Sequence, residues 1–223
     1  MAENNTATNK VCDYIKSKII ERVMFPGYNI VEENLAKELG ISRTPLRRAL
    51  SMLKDEGFVD IIPNKGSFIV SPSYEEMKPI CESRISLELG IADNVINNVT
   101  DNDIFELEDN FNKQIALIEN FSIVEYAVLN RAFHCKYASM GANDYTKRYL
   151  FELYNRSFVF LLYYDNTVNN AATSGPHAHL LRALKTRDLD LLKRSLHEDI
   201  EICEEAVKQS STRNSIHTIS LNI

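Results

Sequence analysis

The feature that most constrains the fold is the stretch from Ser42 to Leu50, because it carries the start of a helix. Ser42 is able to cap the free N–H groups of a first turn, and Pro45 is tolerated inside that turn because no helical hydrogen bond is lost there. Leu46 and Leu50 then recur at helical spacing. We predict a helix from Ser42 to Glu56 that packs on the rest of its domain through these leucines.

The polar face of this helix is basic at its start. Arg43, Arg47 and Arg48 lie near the exposed end. Guanidinium groups at a helix N-terminus attract phosphate and are able to form two hydrogen bonds with guanine. The pattern therefore predicts the recognition helix of a DNA-binding domain, with a salt-bridged surface as the alternative for Arg43 and Arg47.

Two helices are predicted before this one. Val11, Ile15 and Ile19 recur at helical spacing up to a stop at residues 26–27, Pro-Gly, and residues 1–9 are expected to form a disordered arm. Residues 32–39 form a second, short helix that ends at a left-handed glycine. Helix, glycine turn and helix make a helix-turn-helix, which presents its second helix to the major groove.

A β-hairpin is predicted after the recognition helix. Residues 58–62 and 67–70 are rich in β-branched side chains and flank the turn Pro-Asn-Lys-Gly at 63–66. Lys65 at the tip is placed to approach a phosphate, the alternative being a solvated turn lysine. The DNA-contacting candidates are Ser42, Arg43, Thr44, Pro45, Arg47, Arg48, Lys65 and Gly66.

Charge and composition divide the chain into unlike parts. The net charge is −6, yet residues 1–71 hold ten Lys/Arg against nine Asp/Glu, so this part carries +1 and the rest carries −7. An acidic body with a locally basic end is typical of a regulator that touches DNA with one domain. No run of 18 apolar residues occurs, and the four cysteines form no C-x-x-C pair. We expect a cytoplasmic protein with reduced thiols and no membrane span.

The fold class is expected to be mainly α. Residues 10–71 form the winged helix-turn-helix of three helices and a hairpin, and residues 72–210 form an all-α bundle of about six helices. A polar loop is predicted at 165–175, and residues 211–223 form a loose polar tail.

Helix phase turns four polar side chains toward the bundle core, namely Asn130, His134, His177 and Asp199, whereas His197 faces outward. Two imidazoles, a carboxylate and an amide oxygen suit a divalent metal such as zinc, nickel, cobalt or manganese. The alternative, left open by phase, is a pair of core histidines that are hydrogen-bonded to the amide and carboxylate.

Enzymatic activity is not expected. The seven glycines form no G-x-S-x-G, P-loop or G-x-G-x-x-G motif. A hydrolytic metal centre would also need a general base, and the sequence offers no convincing one.

The N-terminal motifs resemble those of a known family. Leu39-Gly40-Ile41-Ser42-Arg43-Thr44-Pro45-Leu46-Arg47, the Glu56-Gly57-Phe58 step and Lys65-Gly66-Ser67-Phe68-Ile69-Val70 are similar to the winged helix of GntR-family transcription regulators. Arg48 departs from the family pattern, which usually has an acidic residue there. The extra positive charge is expected to raise phosphate affinity or alter docking.

Residues 73–210 resemble the FCD effector domain of the FadR subfamily. The motifs are Glu82-x-Arg84-x-x-Leu87-Glu88, then Asn130-x-x-Phe133-His134, and His177-x-x-Leu180-Leu181-x-Ala183-Leu184. Metal-binding members typically carry Asp where this chain has Asn130, and a final His where it has Asp199. The exchange keeps one carboxylate in the set but changes its position.

This resemblance implies a mechanism. A small carboxylate metabolite enters the bundle, completes the coordination of the metal and meets Arg84 and Glu88, which are otherwise read as a surface salt bridge at i and i+4. The ligand then favours one arrangement of the DNA-binding domains in a homodimer bound to double-stranded operator DNA. The rival reading is a metal-sensing regulator that has no organic effector.

Overall fold

The computed structural model of the chain describes residues 2–164 and 170–220. The chain divides into two compact units, Met1–Pro72 and Ser73–Ile223. The first is a helical unit with a small sheet and the second is all-helical, which confirms the mainly α fold class. No helix in the described residues is both long and apolar enough to cross a membrane.

The first unit is a winged helix-turn-helix. Its sheet is antiparallel in the order β1-β3-β2, and Ile62 pairs with Gly66 across the hairpin. The elements are α1 (Ala2–Ile20), β1 (Asn29–Ile30), α2 (Glu32–Leu39), α3 (Arg43–Asp55), β2 (Val59–Ile62) and β3 (Gly66–Ile69).

Buried apolar side chains fix α3 in the core of this unit. Ile15, Ile19, Leu46 and Leu50 are buried, so α1 packs on the apolar face of α3. Gly40 ends α2 with a φ of 63°, a left-handed conformation that glycine adopts without a steric penalty. The short turn that follows delivers the chain directly into α3.

Two local features of this unit differ from the predictions. Residues 2–9 are helical within α1 rather than a disordered arm, while Met1 lies outside the described residues. Thr8 is fully buried, and the segment holds no glycine or proline that would break the helix. The short β1 was not foreseen, because two residues carry too little pattern to identify a strand.

Over residues 73–164 and 170–220, the part of the second unit that the structure describes, the chain forms six helices, in agreement with the predicted bundle of about six. They are α4 (Tyr74–Asn98), α5 (Asp101–Ala116), α6 (Ile123–Gly141), α7 (Asp144–Tyr164), α8 (Asn170–Thr186) and α9 (Leu189–Ser220). Reciprocal capping boxes start α4 at Ser73 and Glu76, and α5 at Thr100 and Asp103.

Two polar segments of this unit are more helical than predicted. α8 begins at Asn170, so residues 170–175 of the predicted loop are helical, and residues 165–169 lie outside the described residues. α9 continues to Ser220 through most of the predicted loose tail, and residues 221–223 lie outside. Residues 206–220 contain no glycine or proline, so nothing in them ends the helix.

The bundle core brings α4 and α6 into close contact. At Gly141 an added Cβ would lie 2.5 Å from Val95 Cγ2 and 2.9 Å from the Ile91 carbonyl oxygen. Only glycine allows this approach of the α6 end to α4. The contact fixes α6, which carries His134, against α4, which carries Arg84 and Glu88.

Candidate functional site

The start of α3 presents a basic, exposed surface. Ser42, Arg43, Thr44, Arg47 and Arg48 are all exposed. The Ser42 backbone is extended at the N-cap position, but its side chain makes no capping hydrogen bond, in contrast to the prediction. The hydroxyl is therefore available to an external group such as a phosphate.

Pro45 differs from the other α3 candidates. It is buried in the first turn of the helix, where it packs inward with Leu46. We therefore regard Pro45 as a structural residue that starts the helix, and its predicted contact with DNA finds no support in its position.

Two of the α3 arginines are held by acidic residues of α2. Arg43 Nη2 lies 3.3 Å from Glu33 Oε2, and Arg47 Nε donates to Glu32 Oε2 at 2.8 Å. The alternative foreseen from the sequence, a salt-bridged surface, thus describes these arginines in the absence of DNA. Arg48 makes no ion pair with any described residue. Exposed pairs of this kind are weak, so a phosphate is able to replace the carboxylates.

The hairpin turn carries Lys65 and Gly66 at its exposed tip. Asn64 and Gly66 both have positive φ, 61° and 119°, and the Lys65 N–H donates to the Ile62 carbonyl at 3.0 Å. This tight turn places the lysine side chain outward, as the sequence predicted.

Three sequence-predicted residues meet inside the second unit. His134 Nε2 lies 3.4 Å from His177 Nε2 and 3.5 Å from Asp199 Oδ2, and His177 Nε2 lies 3.6 Å from Asp199 Oδ1. Both imidazoles are buried, while the Asp199 side chain is 13% exposed. We call His134, His177 and Asp199 the polar triad.

Arg84 and Glu88 adjoin the triad and are buried, which corrects the reading of a surface salt bridge. Arg84 Nε donates to Glu88 Oε1 at 3.1 Å, and its Nη2 lies 3.4 Å from His134 Nδ1 and 3.7 Å from Asp199 Oδ2. The guanidinium also lies over the ring of Tyr154, 5.1 Å from its centroid. A cation is thus already built into this core, between two carboxylates.

A hydrogen-bonded chain from α5 fixes His177. Asn110 donates to the Leu129 carbonyl at 3.1 Å, Gln114 Nε2 donates to Asn110 Oδ1 at 2.7 Å, and Gln114 Oε1 lies 2.9 Å from His177 Nδ1. Since the Gln114 oxygen accepts, His177 Nδ1 carries the proton and Nε2 presents a lone pair to the triad. Phe133 stacks on the same ring, with centroids 4.1 Å apart.

Gln114 was not identified from the sequence. The apolar spacing of Ile115 and Ile118 suggests that they face inward, but they are 38% and 43% exposed, whereas Gln114 is buried. The available signal was its position three residues after Phe111 and seven after Leu107, on the inward face. Tyr154 was missed as well, since an aromatic residue in an apolar helix is indistinguishable from ordinary core.

The electrostatics of the site follow from burial beside one cation. Burial lowers the pKa of His177 to about 3 and that of His134 well below its usual value, and Arg84 lowers both further. Burial raises the pKa of Asp199 to about 6 against the opposing effect of Arg84. The pKa of Glu88 is raised for the same reason. Both imidazoles are therefore neutral at pH 7, the form in which they bind metals.

The donor set fits a divalent metal. Ligand atoms around a tetrahedral zinc ion at about 2.0–2.1 Å lie about 3.3 Å from one another. The two imidazole Nε2 atoms are 3.4 Å apart, and they lie 3.5 and 3.6 Å from different oxygens of the Asp199 carboxylate. One ligand atom from each of the three residues lies within 4.8 Å of the other two. Glu88 Oε2 is buried without a hydrogen-bond partner among the described residues and lies 4.0 Å from His134 Nδ1, beyond hydrogen-bonding distance.

Asn130, the fourth predicted ligand, lies one turn before His134 on α6 and is half-buried. Its Oδ1 accepts a hydrogen bond from the Tyr126 hydroxyl at 3.5 Å. Its role in binding a metal stays a prediction.

Comparison with protein families adds an independent result. The family model described as bacterial regulatory proteins, gntR family, matches residues 7–69, and the FCD domain model matches residues 79–201. The chain belongs to the GntR family. Its combination of domains is that of the FadR-like FCD subfamily, as the sequence motifs indicated.

Two regulators are similar to this GntR-family chain over most of the length of both proteins. It is 23% identical over 204 residues to the HTH-type transcriptional repressor RspR of Escherichia coli K12, covering 90% of this chain and 89% of RspR. The Nta operon transcriptional regulator of Aminobacter aminovorans is 27% identical over 198 residues, 85% and 93% of the two chains.

Solved structures share the fold. E. coli McbR/YncC superposes with a TM-score of 0.77 over 91% of this chain and 97% of its own, at 23% identity. A GntR regulator from Rhodococcus sp. RHA1 gives 0.76 at 17% identity, with 92% and 98% covered. The matched domains and relatives are transcription regulators, which confirms that the chain is not an enzyme.

Proposed function

We propose that this GntR-family regulator is a cytoplasmic homodimer that binds operator DNA through α3 and the hairpin. Its affinity for the operator is controlled by a small carboxylate ligand that binds together with a divalent metal in the second unit. The observation that carries the effector half of this proposal is the polar triad beside a buried Arg84, because such a set of polar groups is expensive to bury without a purpose.

At the DNA surface the proposal assigns the specific contacts to α3 and the supporting contacts to the hairpin tip. Arg43 and Arg47 exchange their carboxylate partners on α2 for phosphate or guanine. Arg48 and Lys65, which are exposed, add phosphate contacts. A dimer places two such helices about one helical turn of DNA apart.

In the second unit, His134, His177 and Asp199 would hold the metal, with Asn130 as the proposed fourth ligand. A divalent metal such as zinc, nickel, cobalt or manganese supplies positive charge and open coordination positions that suit a carboxylate. His177 is already oriented for this role by Gln114. Arg84 Nη2, 3.4 Å from His134 Nδ1, is positioned to donate to that nitrogen and so to orient the imidazole.

Arg84 is the proposed contact for the effector carboxylate, and Glu88 orients the guanidinium. Asp199 and Glu88 are its present partners. An incoming carboxylate that pairs with Arg84 would compete with these two groups, so binding changes the interactions of α4 with α9. The regulator responds only if this change favours one arrangement of its DNA-binding domains.

A metal sensor without organic effector is the second candidate. It is favoured by the fact that Arg84 already contacts two carboxylates and therefore has no obligatory need of a third. The two candidates are separated by titrating operator binding with small carboxylates at a fixed metal concentration. A change in affinity supports the metabolite regulator, and a response to metal alone supports the sensor.

The DNA-binding half is tested with Arg43→Ala and Arg47→Ala, each against the Arg182→Ala control. Arg182 is exposed on α8 in the other unit. Each α3 variant is expected to weaken operator binding by about 1–3 kcal/mol if it contacts a base. If the arginine contacts a phosphate instead, its loss lowers the slope of log affinity against log salt concentration by about 0.9. If both variants match the control, α3 is not the recognition helix.

The effector half is tested first by metal content. Protein purified without an affinity tag or chelator is expected to carry about one metal equivalent per chain by mass spectrometry. The equivalent is lost in His177→Ala and retained in His197→Ala, which removes an exposed histidine from α9. Metal-free, folded wild-type protein that fails to take up added zinc would contradict the metal site.

A further inference from the structure

A pair of thiols joins α4 to α9 close to the polar triad. Cys81 and Cys203 are 122 residues apart in the chain, yet their sulfur atoms are separated by 3.7 Å. Cys81 is three residues before Arg84 on α4, and Cys203 is four residues after Asp199 on α9. The thiol pair therefore lies about one helical turn from Arg84 on α4 and about one turn from Asp199 on α9.

The thiol pair adjoins a surface pocket, although the Cys81 residue itself is only 1% exposed. Cys81 lines a surface pocket of about 210 Å³ between α4 and α9, together with Met77, Glu201 and Glu204. A water molecule occupies about 30 Å³ of liquid, so a hydroperoxide fits into this space. Cys203, 3.7 Å from the Cys81 sulfur, is half-buried.

The two thiols have unlike acidities. The hydrogen bond with Cys203 lowers the pKa of Cys81 against the effect of burial, and Arg84 lowers it further. The same bond and burial raise the pKa of Cys203 well above its usual value. One sulfur is thus favoured as the thiolate nucleophile while its neighbour keeps its proton.

We propose that Cys81 and Cys203 form a reversible intramolecular disulfide on exposure to a hydroperoxide. The Cys81 thiolate attacks the peroxide, the O–O bond breaks, and a sulfenic acid forms with release of water or an alcohol. The Cys203 sulfur then attacks the sulfenic sulfur, which expels water and forms the S–S bond. Two thiols lose two electrons, and the peroxide gains them.

The cross-link would alter the neighbourhood of the triad. Formation of the bond shortens the sulfur separation from 3.7 Å to about 2.05 Å, so α4 and α9 must adjust at this level. These helices carry Arg84 and Asp199, respectively. The modification itself needs neither the metal nor the effector, so it stands or falls independently of the proposed function.

The test uses the full-length, reduced protein treated with equimolar hydrogen peroxide. Peptide mass mapping is expected to find the Cys81–Cys203 linkage with loss of two hydrogens, and titratable thiols fall from four to two. Reduction with dithiothreitol is expected to restore all four titratable thiols. Cys135→Ser is the matched control, since Cys135 is also half-buried, and it keeps the disulfide.

Single variants of the pair separate the steps. In Cys203→Ser, peroxide is expected to leave a sulfenic acid on Cys81 that is trapped by dimedone, while Cys81→Ser loses both products. The proposal is overturned if wild-type protein forms only sulfinic acid or a disulfide between chains. It is also overturned if Cys12 or Cys135 supplies one of the linked sulfurs. The wild-type mapping decides the question even where a variant fails to fold.

Discussion

Arginine–carboxylate pairs occur in both units of this regulator, in opposite settings. The side chains of Arg43 and Arg47 on α3 are 62% and 67% exposed while paired with α2 glutamates. That of Arg84 is 4% exposed, and its partner Glu88 is fully buried. Separating an exposed pair is inexpensive because water and salt replace each partner, whereas a buried pair that loses one member leaves a charge that nothing solvates.

The difference in burial suits the exposed α3 pairs and the buried Arg84 pair to different roles. The α3 pairs keep basic side chains extended on a surface from which a phosphate readily displaces the glutamates. The Arg84 pair is part of the bundle core, so any group that displaces it must supply an equivalent charge. The first arrangement favours rapid exchange on DNA, and the second favours a response to specific, charged ligands.

Removal of the buried cation tests this contrast most severely. Arg84→Ala is expected to lower the free energy of unfolding by about 3–5 kcal/mol in urea titrations at about pH 8, because Glu88 and Asp199 lose their partner. The loss should shrink as the pH falls, since both carboxylates have raised pKa values in the folded state and are then neutral. Arg43→Ala should stay within about 0.5 kcal/mol of wild type. Equal losses in the two variants would remove the distinction between the pairs.

The next prediction concerns the side chain that orients His177. Gln114→Leu removes the acceptor for the His177 Nδ1 proton and is expected to weaken zinc binding by about 10- to 100-fold, measured against a chromophoric chelator. Gln114→Glu keeps an acceptor at that position and should bind zinc more tightly than the leucine variant. Unchanged affinity in Gln114→Leu would mean that this hydrogen bond does not prepare a ligand.

Acidity should affect the metal site through Asp199 rather than through the histidines. The pKa of Asp199 is about 6 and that of His177 about 3, so below pH 6 a metal must displace the Asp199 proton while His177 is already neutral. Zinc affinity is expected to fall about tenfold per pH unit below 6 and to level off above 7. Asp199→Asn should flatten this profile, and an unchanged slope in that variant would assign the proton to another group.

The smallest effect is expected from release of the α3 arginines. Glu32→Gln and Glu33→Gln free Arg47 and Arg43, and each should strengthen operator binding about two- to fivefold at low salt. Glu108→Gln removes the same charge from α5 and serves as the control for a general charge effect. Weaker binding in either α2 variant would show that the glutamates position the arginines for DNA rather than restrain them.

Local sequence pattern was sufficient for most of the fold. Residues that are close together in the chain determine the bounds of α2, its end at Gly40 and the hairpin. Helix phase also turned His134, His177 and Asp199 inward correctly, because period 3.6 depends only on neighbouring residues.

The contacts that make the site were harder to predict because they join distant segments. The burial of Arg84 depends on packing against Tyr154, 70 positions later, and a pair at i and i+4 looks the same on a surface and in a core. Gln114 was missed because Ile115 and Ile118, one and four positions later, suggest a different inward face. The helical continuations at both ends of the chain escaped prediction because polar composition alone does not distinguish a solvated helix from a disordered segment.

The slight exposure of Asp199 bears on how fast a ligand would enter the site. Of the triad, His177 is 0% and His134 4% exposed in their side chains, so Asp199 at 13% forms the edge that meets solvent. Under the proposed function, an incoming ion or small acid would reach the imidazoles only after neighbouring helices move apart, and such motions take microseconds to milliseconds or longer. Association would then be slower than diffusion. A regulator of this design would average over brief fluctuations in the concentration of its ligand and respond to sustained ones.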